Sequence, residues 1–296
     1  MSKKKANNSK SKEYLVLSAD ISKYKFIDFR ANRPIGVREI DGEILLQQID
    51  NIELSNKPVK SANSFEYFTP NNVGLLLSKM EKSIAVAKKI YLEHINPDKF
   101  NHSEKLKSAK NKTEYLTQNS IVLYDFIEEI QTAIVFGYTA IEAFTNLSIP
   151  ENYLYTVEKN NKGIQEVYDK NAIERWLSLT TKVEKILVDI YKDNTLVKSP
   201  LWSKFKSFEK MRHNIIHQKS VLETDLYNEY LNKSIFDICS VPTKLIQHFY
   251  KNLQRENKTN PVWPWITGTE NMIPIDSKFK GSDFEVFGNI YEGRKK

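Results

Sequence analysis

The sequence predicts a mainly α protein, a bundle of about five helices over residues 71–256 with small irregular or β-containing extensions at either end. Between Asn71 and Glu256 proline and glycine almost vanish, while apolar residues recur every three or four positions. Outside that span the texture changes to short β-like runs punctuated by Pro and Gly. Hydrophobic residues make up 40% and charged residues 27% of the 296 positions, enough apolar material for a folded core.

The elements follow in chain order. Residues 1–12, MSKKKANNSKSK, carry five lysines and no acid and read as a disordered basic tail. Residues 13–70 contain EYLVLSADI and KFIDF, then a stretch broken by Pro34, Gly36 and Gly42, and read as a small mixed or irregular lobe. A first helix covers NNVGLLLSKMEKSIAVAKKIYLEHI and ends before Pro97. KFNHSEKLKSAKNK reads as a solvated basic connector. The next helix runs from about Thr113 to Leu147, and AIERWLSLTTKVEKILVDIY forms another that closes before Asn194. Ser199 and Pro200 supply an N-cap and a first-turn proline for PLWSKFKSFEKMRHNIIHQ. The last helix spans roughly Glu223 to Arg255, bent around Pro242. Residues 257–296 return to loop chemistry, with aromatics that staple a tail to a core.

Several function classes lack their usual residues. The single cysteine, Cys239, gives no disulfide framework and suggests a reducing, cytoplasmic setting. The basic start has no apolar stretch behind it, so no signal peptide is expected. The most apolar run, Ala133–Leu147, contains Glu142 and is too short to span a bilayer, so no membrane association is expected. Net charge is +7, but much of it sits in the tail, which leaves a nearly neutral body. No GxxxxGK[ST], GxGxxG, CxxC, HExxH or GxSxG is present, so no cofactor and no metal are expected. His94 and His102 are a weak metal signal and read as surface residues, and His248 as a core histidine.

One helix departs from a plain amphipathic pattern. At about 100° per residue, Leu201, Phe205, Phe208, Ile215 and Ile216 gather into a core-facing stripe, and Arg212 falls in its middle. His213 and His217, four residues apart, share a flank, with Asn214 further round. Guanidinium keeps its proton in proteins, so a buried arginine needs a partner. Glu142 is the only charge in AIVFGYTAIEAFTNL and is the expected one. On the plainer view that pair merely sets helix register, with the histidines as bystanders. RNA cleavage would use all of them: one group takes the ribose 2′-OH proton, a second protonates the leaving 5′-oxygen, and a cation holds the phosphate. Imidazoles suit the first two roles and arginine the third.

Arg212–His217, R-H-N-I-I-H, resembles the R-x4-H signature of HEPN (higher eukaryote and prokaryote nucleotide-binding) ribonucleases, and FGYTAIEAFTN resembles that family's earlier core helix with its acid at Glu142. The resemblance covers residues 71–256 in helical layout and these two stretches in motif. It implies a metal-independent endoribonuclease that leaves a 2′,3′-cyclic phosphate on tRNA or mRNA. It also implies a homodimer whose motif helices meet in a composite active site. His217 would be general base or acid, and Arg212 the phosphate holder. His213 and Asn214 would support them, and Glu142 would position Arg212. Such proteins serve as toxins or abortive-infection effectors, held by an antitoxin or released by a phage-derived trigger. Where nucleotidyltransferase antitoxins silence them, a tyrosine stands two residues after the histidine; here that position is Lys219. Other members bind RNA or nucleotide, or regulate a partner, without cleaving, and that is the alternative function. The terminal extensions would sense a phage component, bind an antitoxin or cap the bundle.

Overall fold

The computed structural model describes residues 70–157, 163, 165–218 and 225–255, with side chains to 249, together with Arg30, Tyr67 and the backbone of six further strands. The basic tail, Lys219 and most of 257–296 lie outside the described residues. The chain divides into two compact units, Met1–Asn71 with Glu256–Lys296, and Asn72–Arg255.

The first unit holds β1 (Glu13–Ser18), β2 (Gly36–Ile40), β3 (Glu43–Gln47), β4 (Ile49–Glu53) and β5 (Ser64–Phe68). A further strand, β8 (Phe284–Val286), comes from the far end of the chain. The sheet order is β3-β2-β1-β8, antiparallel throughout, and β4 pairs separately with β5. Val16 lies opposite Val286. The two extensions therefore share a sheet, where the sequence suggested separate pieces. Local periodicity reveals a strand but not a partner 270 positions away.

The second unit is mostly helical. It begins with α1 (Asn72–Ile90), which loosens into a π-turn at Tyr91–Ile95 ahead of Pro97. Then come α2 (His102–Ser108) and the long α3 (Lys112–Ser148). The expected connector thus contains a helix. Asn101 accepts from the Glu104 amide at 3.1 Å, an N-cap signal legible in N-H-S-E but masked by the basic composition. A hairpin of β6 (Tyr155–Val157) and β7 (Glu166–Tyr168) precedes α4 (Lys170–Trp176). Ser178 caps α5 (Leu179–Thr181), which continues as a π-helix at Lys182–Leu187 and as α6 (Val188–Ile190). After α7 (Pro200–Ile216) the expected single last helix is three: α8 (Asp225–Tyr230), α9 (Ile235–Cys239) and α10 (Val241–Arg255). Pro242 opens α10 rather than bending a longer helix, because a first-turn proline sacrifices no intrahelical hydrogen bond.

α1 packs along α3, and α7 and α10 close over the same helix. The core is Leu77 and Met80 of α1, Ile130, Ile134, Ile141 and Phe144 of α3, Phe205 and Phe208 of α7, and Leu245 and Phe249 of α10, all buried. Gly137 marks the point where the four helices converge. A Cβ there would lie 2.7 Å from Pro242 Cγ, 2.8 Å from Met80 Sδ and 3.1 Å from Phe208 Cζ. Gly137→Ala would gain about 1 kcal/mol of helix propensity. It would also overpack the junction by about 1–3 kcal/mol, because a proline ring cannot swing aside. The expected result is a net loss of stability in urea melts; a gain would mean that the helices separate freely at this point.

At the α10 end of the core, Phe144 stacks with Tyr191 and with Phe249, the latter two rings meet at a tilt, and Ser148 and Tyr191 share a 2.8 Å hydrogen bond. Beside them Asp193, 3% exposed, accepts from the Thr195 amide at 2.8 Å and its hydroxyl at 2.7 Å, and pairs with His248 Nε2. Burial pushes this carboxyl's pKa up, but the Thr195 and His248 contacts outweigh burial and hold it below the ordinary value. A carboxyl depressed in the folded state stabilises above its unfolded pKa, about 3.9, and loses that contribution as pH falls through the folded value. Asp193→Asn should therefore be less stable at neutral pH and show a shallower loss of stability below about pH 4. Parallel stability–pH curves for the two proteins would contradict this.

Candidate active site

α7 carries the residues that drew attention in the sequence. Pro200 occupies its first turn. Ser199 stands at the N-cap position, but its hydroxyl donates to the Leu196 carbonyl at 2.6 Å instead of capping. Phe205, Phe208 and Met211 are buried, so the helix docks as its apolar spacing requires. Burial then stops. Ile215 is half-buried and Ile216 is 49% exposed. A helical wheel reports direction and not depth, and the final turn of α7 projects beyond the packed layer.

This changes the reading of Arg212. It is half-buried rather than embedded, and its Cζ lies 4.5 Å from the centre of the Tyr138 ring on α3. Among the described residues no ion pair or hydrogen bond joins it to Glu142, so the expected pairing is replaced by a cation–π stack. The physical reason is that a guanidinium retaining some solvent needs no buried counterion, and an aromatic face supports its flat fork. Glu142 is also half-buried, one helical turn beyond Tyr138 on the same face. Burial, then the Glu209 and Glu142 carboxylates, raise the Tyr138 phenol, while Arg212 partly offsets them.

The buried cation near Glu142 is Lys182, at the start of the π-helix and only 1% exposed. Its Nζ donates to Asn146 Oδ1 at 3.1 Å and to the Glu174 carbonyl at 2.9 Å. Burial lowers its pKa, against the fields of Glu142 and Glu174. Tyr138, Glu142 and Asn146 thus form a polar line at four-residue spacing on α3, linking Arg212 at one end to Lys182 at the other. Lys182 is not among the residues expected at this site. The signal was present: Leu179, Lys182, Val183, Ile186 and Leu187 follow helical core spacing, with a lysine in the stripe.

His213 and His217 are both exposed, and their rings lie 4.6 Å apart, centre to centre, tilted by 45°. His217 has left helical geometry; it is the C-cap of α7, and its amide donates to the His213 carbonyl at 2.9 Å. Asn214 is half-buried. The structure therefore gathers Arg212, His213, Asn214 and His217 at one exposed helix end, with Glu142 behind Tyr138. Next to them, Ile215 lines an apolar groove of about 660 Å³ with Leu123, Tyr124, Val135, Phe136 and Tyr227.

Elsewhere, His102 bonds to the His94 carbonyl at 2.8 Å and to the Tyr115 hydroxyl at 3.1 Å. Among the described residues no cluster of His, Cys, Asp and Glu could hold a metal ion, and no helix is long and apolar enough to cross a membrane. The end of α7 thus offers two imidazoles in contact, a supported guanidinium and open access, which suits proton transfer at a phosphate ester. The chain matches no family model, no curated protein and no solved structure.

Proposed function

We propose that this chain is a metal-independent endoribonuclease of the HEPN type, built on a HEPN-like bundle. The observation that carries this reading is the pair of touching imidazoles, His213 and His217, the first of them directly following an arginine supported on an aromatic face. One imidazole takes the proton from a ribose 2′-OH, and that oxygen attacks the adjacent phosphorus. The bond to the 5′-oxygen breaks, an imidazolium protonates the departing alkoxide, and a 2′,3′-cyclic phosphate and a 5′-hydroxyl result. His217, free of helical geometry at the end of α7, is the principal acid or base. His213 assists, and Asn214 supports the pair. Arg212 binds the non-bridging oxygens as charge develops on them.

A homodimer with a composite site belongs to the proposal. The apolar groove beside Ile215 supports it, because a second copy covering that face would bring two motif helices to one cleft. A cytoplasmic toxin or antiphage effector acting on tRNA or mRNA, governed by an antitoxin or a phage-derived trigger, is the setting that fits this activity. Purified protein incubated with bulk tRNA and mRNA in EDTA should cleave them and should sediment as a dimer. RNA binding without cleavage would favour a non-catalytic RNA-sensing module instead.

A further inference from the structure

We infer that the outward face of α7 is a track for the backbone phosphates of single-stranded RNA, leading to the histidine pair, with Lys210 as its principal fixed cation. The identity of the ligand rests on the ribonuclease reading; the track itself rests on geometry. Lys206, Lys210, His213 and His217 recur at spacings of four, three and four residues, and all four are exposed. At about 100° per residue they fall within roughly 60° of one another and span about 16 Å of helix. They form one continuous stripe that ends on the two imidazoles in contact.

No acid interrupts the stripe. The only acid in Pro200–Ile216 is Glu209, which lies at its edge and is already engaged by the Thr180 hydroxyl at 2.5 Å and the Lys206 ammonium at 2.6 Å. Lys206 is therefore largely neutralised. Lys204, on another side of the helix, is tied to Asp237 at 3.1 Å. Lys210 differs from both: among the described residues it has no ion pair, and it stands one turn before His213 and Asn214. Exposed lysines are usually solvated without consequence. A cationic face with its acid already neutralised, aligned with candidate proton-transfer groups, is the arrangement that guides a polyanion. Lysine suits the role because a point charge on a flexible stem accepts phosphates in many poses.

The test uses the full chain and a labelled oligodeoxythymidylate, which lacks the 2′-OH and so is not cut by the proposed route. Binding is followed by fluorescence anisotropy over a salt series at fixed pH. Lys210→Ala is expected to weaken binding roughly three- to tenfold and to flatten the salt slope by ~0.7, as for one lost single-strand phosphate contact. Lys210→Arg should behave like the parent, and so should Lys88→Ala on the exposed side of α1. The basic tail contributes equally to every variant and drops out of the comparison. The track is overturned if the chain does not bind the oligomer, if Lys210→Ala leaves affinity and slope unchanged, or if Lys88→Ala matches it. A Lys210-dependent slope in a protein that cuts no RNA would keep the track and remove the nuclease. His217-dependent cleavage with a Lys210-independent slope would do the reverse.

Discussion

His217→Ala is expected to reduce RNA cleavage by about 10²–10⁴-fold, the range over which positioned acid–base groups act. Arg212→Ala should fall at least as far, because on the proposed mechanism it would remove the cation that meets the charge developing on the phosphate. Arg212→Lys should recover only part of the loss, since an ammonium cannot match the flat fork that lies 4.5 Å above Tyr138. His217 is exposed and caps the helix without a core contact, so His217→Ala should melt within about a degree or two of the parent. Loss of activity at unchanged stability would place the effect in the chemistry. Cleavage by His217→Ala at the parental rate would remove the residue from the mechanism.

The largest expected stability effect lies at Lys182 and not at Arg212. Lys182→Ala deletes three buried methylenes, at about 0.8 kcal/mol each, and takes the donor from Asn146 Oδ1 and the Glu174 carbonyl. A loss of about 3 kcal/mol follows, or roughly 6–12 °C in Tm for a unit of this size. Lys182→Met keeps most of the stem and also removes a desolvated charge, so its expected cost is about 1 kcal/mol or less. Equal losses for the two variants would show that the ammonium, not the stem, holds this region together. Glu142→Ala should cost little through Arg212, which rests on Tyr138; its effect should come through Lys182, whose desolvation Glu142 offsets.

Much of the helical layout was legible because apolar spacing and proline position are local properties. Residues 112–148 and 200–216 fold within a residue or two of their sequence boundaries. What periodicity misses is depth and pairing. It placed Arg212 on the correct side of α7 but could not show that burial ends at Met211. It marked Glu142 as an unusual charge and then joined it to the more conspicuous arginine, while Lys182 occupied an equally unusual place forty residues later. Tyr138 attracted no notice, because an aromatic in an apolar helix looks like core until its ring is found beneath a guanidinium. The β1–β8 pairing and the division of the last helix into α8, α9 and α10 depend on contacts and caps that no single window of sequence contains.

The most direct measurement is the chemistry of the cut ends. RNA digested by the purified protein in EDTA should carry 2′,3′-cyclic phosphate and 5′-hydroxyl termini, and His217→Ala should yield neither above background. Fragments bearing 5′-phosphates, cleavage abolished by EDTA, or identical ends from His217→Ala would contradict a histidine-driven attack by the ribose 2′-OH.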